Sequence, residues 1–147
     1  MEAPRQERVA YTVDVQRRGS EGWYSQRISP NWVHAVTPAD AAVQAFDRYV
    51  KKYGETIASL VAPGSHELQV LVHLQREPAV FPLHGVLEHK VRRDFGRRRE
   101  AEARLERATD ALRASVREAA MAGVRQAHLA RISGWSRETL RKLTRRS

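Results

Sequence analysis

The 147-residue chain has no cysteine. That absence excludes disulfide scaffolds, thiolate zinc sites and thiol nucleophiles together. There is also no run of about 18 apolar residues, so no segment reads as a transmembrane helix. The opening Met1-Glu2-Ala3-Pro4-Arg5-Gln6-Glu7 is too polar for a secretory signal, and a cytoplasmic protein is the expectation. Starting groups for catalysis are missing as well. Ser20, Ser25 and Ser29 sit in no nucleophile elbow, Asp14 and Asp40 have no acid–base pairing pattern, and no glycine-rich phosphate loop occurs. His34, His66, His73, His84, His89 and His128 show no metal-ligand spacing. A non-enzymatic protein without metal or cofactor is therefore expected.

What the chain does have is positive charge, unevenly placed. Residues 1–88 hold 9 Lys+Arg and 10 Asp+Glu, a net of −1. Residues 89–147 hold 17 Lys+Arg and 7 Asp+Glu, a net of +10. Such asymmetry points to a polyanion-binding half joined to a half with another task.

The first half reads as α+β. Val9, Tyr11, Val13 and Val15 alternate with polar residues, the period of a half-buried strand. Arg18 to Gly22 is a hairpin turn, Trp23 to Ile28 a second strand and Trp32 to Val36 a third. Trp23 and Trp32 are expected to pack in the sheet core or at its edge. Thr37-Pro38-Ala39-Asp40 opens a helix, with Thr37 as cap and Asp40 reaching back to it. Ala42, Val43, Phe46, Tyr49, Val50 and Tyr53 form its apolar stripe, and Gly54 stops it. Glu55 to Leu60 allows another short helical turn, and Ala62 to Ser65 is a loop. Leu68, Val70, Val72 and Leu74 share one face of a fourth strand within His66 to Arg76. Glu77 to Gly85, with Pro78 and Pro82, reads as an irregular linker. The order is β-β-β-α-β, a small antiparallel sheet with one packed helix.

From about Leu87 the pattern is helical, with no proline and only Gly96, Gly123 and Gly134. Arg97 to Thr109 is rich in strong helix formers. Leu105, Leu112 and Ala119 recur every seventh residue, as do Ala101, Ala108 and Ser115, which permits a short pairing between two chains. Arg92-Arg93 and Arg97-Arg98-Arg99 read either as a phosphate-gripping arm or as a solvated helix face.

Three helices close the chain. The first, Ala111 to Met121, carries Leu112, Val116, Ala119 and Ala120 on one side. Gln126 to Ile132 forms the second, and Ser133-Gly134-Trp135 turns tightly into a third that starts at Ser136. Small Ala130 suits a close crossing, Gly134 a positive φ, and Ser136 an N-cap. Leu129, Ile132, Trp135, Leu140 and Leu143 would form the core. Over about Leu112 to Leu143 this resembles a helix-turn-helix. The resemblance implies that the last helix enters a DNA major groove. Ser136, Arg137, Glu138, Thr139 and Arg141 then lie nearest base edges or flanking phosphates, where Arg favours guanine and Glu can accept from cytosine. It also makes Gln126, Arg125, Lys142, Arg145 and Arg146 phosphate contacts. Arg125 stands where the motif usually has a Ser or Thr cap, and Trp135 where it has a smaller aliphatic residue.

Trp23-Tyr24 after a turn, a strand ending near Pro30, Val33 to Val36, and the helix from Thr37-Pro38-Ala39-Asp40 together resemble the amino-terminal domain of HicB-like antitoxins. Actinobacterial relatives join such a domain to a DNA-binding module through an Arg/Glu/Ala-rich helix, similar to Arg97–Ala111. Where that family shows a Pro-x-x-Pro-Gly stretch, this chain has Pro30-Asn31-Trp32-Val33-His34. The resemblance implies a degenerate RNase H-like or double-stranded-RNA-binding-like sheet without catalytic carboxylates. The organisation expected is an α+β domain at 5–80 for dimerisation or partner binding. A linker and connecting helix at 81–111 and a helix-turn-helix domain at 112–147 follow. The expected function is transcription regulation by a cytoplasmic, nucleoid-associated homodimer on double-stranded DNA. An antitoxin that blocks a small RNase toxin and represses its own promoter, and an architectural nucleoid protein, are the alternatives.

Overall fold

Apolar alternation at the start of the chain becomes β1 (Val9–Gly19), the longest strand of a five-stranded antiparallel sheet. The computed structural model describes residues 6–145. β2 (Gly22–Gln26) follows a two-residue turn and pairs with the second half of β1, with Val15 opposite Gln26. β3 (Trp32–Ala35) pairs with the first half, with Tyr11 opposite Val33. On the other side of β1 lies β4 (Leu68–Val72), which carries β5 (Ala79–Pro82) at the edge. At Gly19 the exposed Tyr24 ring lies where a Cβ would be, so a larger residue there would displace that ring.

Helix α1 (Pro38–Tyr53) covers one face of this sheet. Thr37 caps it by accepting from the Asp40 N–H at 3.2 Å, and Gly54, at φ 63°, ends it. Its apolar stripe buries Ala42, Val43, Phe46 and Tyr49 against Val13, Val15, Val33, Val70 and Val72. The polar flank holds β3 and the segment before it. Arg48 donates to the Pro30 and Trp32 carbonyls, Lys52 and Tyr53 to that of Arg27, and Gln44 to that of His34. The opposite face of the sheet carries a polar ladder. Ser25 and Gln16 donate to Asp14 at 2.9 and 2.8 Å, and Gln69 donates to Gln16 at 2.8 Å. A short helix α2 (Ile57–Val61) opens with a reciprocal Thr56–Ser59 capping box.

The structure corrects several expectations. The Asp40 carboxylate does not fold back on the cap, but meets His89 Nε2 at 2.9 Å on the next long helix. Leu74 lies past the end of β4 and is exposed. The segment 77–85 is no linker. Ala79–Pro82 is a strand, and helix α3 (Leu83–Met121) starts directly after it. Proline is tolerated there because β5 is an edge strand with one unpaired side. The two helices read at Arg97–Thr109 and Ala111–Met121 are one continuous helix, since no breaker separates them. Of the two places expected for Trp23 and Trp32, the structure gives the sheet edge and not the core: they lie on the outer strands β2 and β3, 38% and 47% exposed.

Residues up to Phe95 form one compact unit and residues from Gly96 a second, so the division falls inside α3. The second unit adds α4 (Gln126–Ser133) and α5 (Arg137–Thr144) to the end of α3. Among the described residues no helix is long and apolar enough to cross a membrane.

Candidate nucleic-acid interface

The basic half places its charges through a sequence of local stops and starts. Gly123, at φ 94°, ends α3: its N–H reaches the Ala120 carbonyl at 3.1 Å and that of Val124 reaches Ala119 at 3.0 Å. This bond pair closes a helix in a Schellman stop. Arg125 begins α4 from an extended conformation without a side-chain cap bond. Gly134, at φ 78°, ends α4 with its N–H on the Ala130 carbonyl at 3.1 Å. Trp135 follows, and Ser136 starts α5 by accepting from the Thr139 N–H at 3.1 Å.

Three side chains centre this unit: Val116 of α3, Leu129 of α4 and Leu140 of α5. Ala119, Ala120, Ala130 and Trp135 pack round them. Two expected core members differ. Ile132 is 68% exposed and Leu143 is only partly buried. The inward stripe of α4 runs through Leu129, Ala130 and Ser133, and at about 3.6 residues per turn Ile132 falls on its flank. Val116 takes the central place instead.

With Leu140 buried, Arg137, Glu138, Arg141 and Lys142 of α5 all remain exposed. Glu138 and Lys142 approach to 3.8 Å, an exposed pair of little energetic weight. The Ser136 and Thr139 hydroxyls lie 2.9 Å apart, so both are engaged at the helix start. Arg125 and Gln126 are exposed at the start of α4, and Arg145 is exposed at the end of α5. Arg146 lies outside the described residues.

Two arginines absent from the sequence-derived set join this surface. A groove of about 780 Å³ runs between α3 and α5, with Trp135 and Leu143 among its lining residues. Arg113 and Arg117 of α3 line it together with Lys142 and Arg145. Arg117 Nε donates to the Leu143 carbonyl at 3.4 Å, close to the end of α5. Arg113 has its own neighbour, Asp110 Oδ1 at 3.2 Å. No Asp or Glu lines the groove. The signal was present in the sequence: Thr109, Arg113 and Arg117 recur every fourth residue and so share a helix face.

The arginines near Gly96 divide. Arg93 is mostly buried and reaches Asp47 of α1 at 3.9 Å and Asp94 at 3.2 Å, so it ties α3 to the sheet unit. Lys90 meets the same Asp47 at 3.0 Å. Arg98 is exposed and pairs along the helix with Glu102 at 3.0 Å, as a solvated face does. No family model matches the chain, and neither curated proteins nor solved structures give a match.

Proposed function

We propose that residues 112–145 form a helix-turn-helix and that the chain is a sequence-specific transcription regulator on double-stranded DNA. One observation carries this reading. α5 is capped at its start by Ser136 and anchored by Leu140, yet offers Arg137, Arg141 and Lys142 to solvent in the half with a net charge of +10. A short, basic, rigidly seated helix of that kind matches what a major groove admits. In this reading Arg137 and Arg141 address base edges, with Glu138 able to accept from a cytosine amine. Lys142, Arg145, Arg125 and Gln126 hold phosphates.

Fluorescence anisotropy on the chain's own upstream duplex and on a scrambled duplex, across a salt series, tests this. Arg137→Ala is expected to lower preference for the upstream duplex by about 1–3 kcal/mol. Lys142→Ala is expected to weaken both duplexes alike and to reduce the salt slope by about one. Intact binding in both variants sinks the groove assignment. Equal binding of the two duplexes by the unaltered chain favours an architectural role.

One recognition helix contacts too few base pairs for tight specific binding, and two-fold pairing on an inverted repeat supplies the rest. Light scattering after gel filtration is therefore expected to give a dimer mass, and a monomer at all concentrations overturns that expectation. A second reading is favoured by the sheet unit. Trp32 on β3 is 47% exposed and the His34 ring stands edge-on to it at 5.1 Å, an aromatic pair left to solvent on the face of the sheet away from α1. That surface suits a protein partner, as the HicB-like antitoxin reading requires. A toxin-sized reading frame beside the gene, whose product co-purifies with the chain, would support it.

A further inference from the structure

We propose that the groove between α3 and α5 seats the sugar–phosphate backbone of bound DNA, so that Arg113 and Arg117 form a second contact line beside the recognition helix. The inference rests on the DNA-binding reading of α5 and extends it to a different helix.

Four cations converge on this groove from two elements, Arg113 and Arg117 from α3 and Lys142 and Arg145 from α5, and no carboxylate is among its lining residues. Asp110 and Glu138 meet Arg113 and Lys142 from outside the lining, so the groove walls themselves stay cationic and complementary to a strand that carries a charge at every nucleotide. Trp135 and Leu143 add apolar area, against which the carbon face of a deoxyribose can lie. The Thr109 and Thr139 hydroxyls complete the lining, and hydroxyls are ordinary phosphate partners. Arg117 is already oriented, because its Nε holds the Leu143 carbonyl and leaves the two terminal amino groups for an anion. Lys142 belongs both to the exposed side of α5 and to this groove. One wall is therefore continuous with the surface assigned to the major groove.

The test compares the full-length chain with Arg113→Gln and with the Arg113→Gln/Arg117→Gln pair, again by anisotropy on both duplexes over a salt series. Loss of each phosphate contact flattens the log–log salt slope by about 0.9. The single variant is expected to flatten it by about one and the pair by about two. Affinity for the upstream and scrambled duplexes should fall by the same factor, leaving their ratio unchanged. Arg113→Gln removes only an exposed intrahelical pair, so a folding defect is not expected to disguise the result. An unchanged slope in both variants, with Arg137→Ala still impaired, overturns the groove proposal alone. A loss confined to the upstream duplex assigns these arginines to base reading and also overturns it. Absence of any duplex binding by the unaltered chain overturns both readings.

Discussion

Leu140→Ala is expected to unfold the C-terminal unit while the sheet unit stays folded. Leu140 is fully buried, and among the described residues only Val116 and Leu129 are buried with it at the centre of that unit. Removing a buried leucine side chain costs about 2–5 kcal/mol, most where the surroundings cannot close the cavity. Here the neighbours are alanines and one indole held at its turn, which have little reach to fill the space. A unit this small has little stability to lose. Circular dichroism should show helix loss, and cleavage by a protease should appear beyond residue 121 while the sheet survives. The proposed DNA binding should disappear with it. Leu112→Ala, at a half-exposed position on the same face of α3, should change little. Equal thermal stability of Leu140→Ala and the unaltered chain would show that these three helices do not share a core.

Phe46→Ala should do the corresponding damage to the sheet unit. Phe46 is 1% exposed and is the largest fully buried side chain there, set between α1 and the strands. Phe→Ala changes in cores cost about 3–5 kcal/mol. α1 also holds β3 through Gln44 and Arg48, and the segment before it through Lys52 and Tyr53, so a loosened helix releases β3 as well. Urea unfolding followed by near-ultraviolet circular dichroism should report an early transition for this variant, carried by the ring of Tyr49, buried in the same core. If the transition keeps its midpoint, Phe46 is not the anchor of α1.

The uneven charge and the small core together explain why the second half reads clearly as a surface but poorly as a core. Arg137, Glu138, Arg141 and Lys142 were legible as an exposed set because Leu140 and Leu143, three residues apart, mark the other side of the helix. Ile132 was misread for the same kind of reason. On a helix of eight residues one more apolar position extends the stripe equally well in either direction, and only the neighbouring helices choose. Arg113 and Arg117 belonged to no motif. They gain meaning because α5, some 20 to 30 residues further along, brings Lys142 and Arg145 to the same groove.

Where local chemistry decides conformation, the chain's own residues were sufficient. Thr37, Ser136, Gly54 and Gly134 mark helix ends through one hydrogen bond or one positive φ, and alternation along β1 needs no distant partner. The balance of charge between the halves is likewise set by composition alone. Tertiary structure decided what depends on pairing across the chain. It made Ala79–Pro82 a strand, because β4 offers its free edge to a segment that prolines had marked as irregular. It drew Asp40 to His89, away from its own helix start, and set Asp47 against Lys90. It also gathered four cations round Trp135. Caps and periodicity are properties of neighbours in sequence, whereas burial and convergence of charge belong to neighbours in space, which only the folded chain brings together.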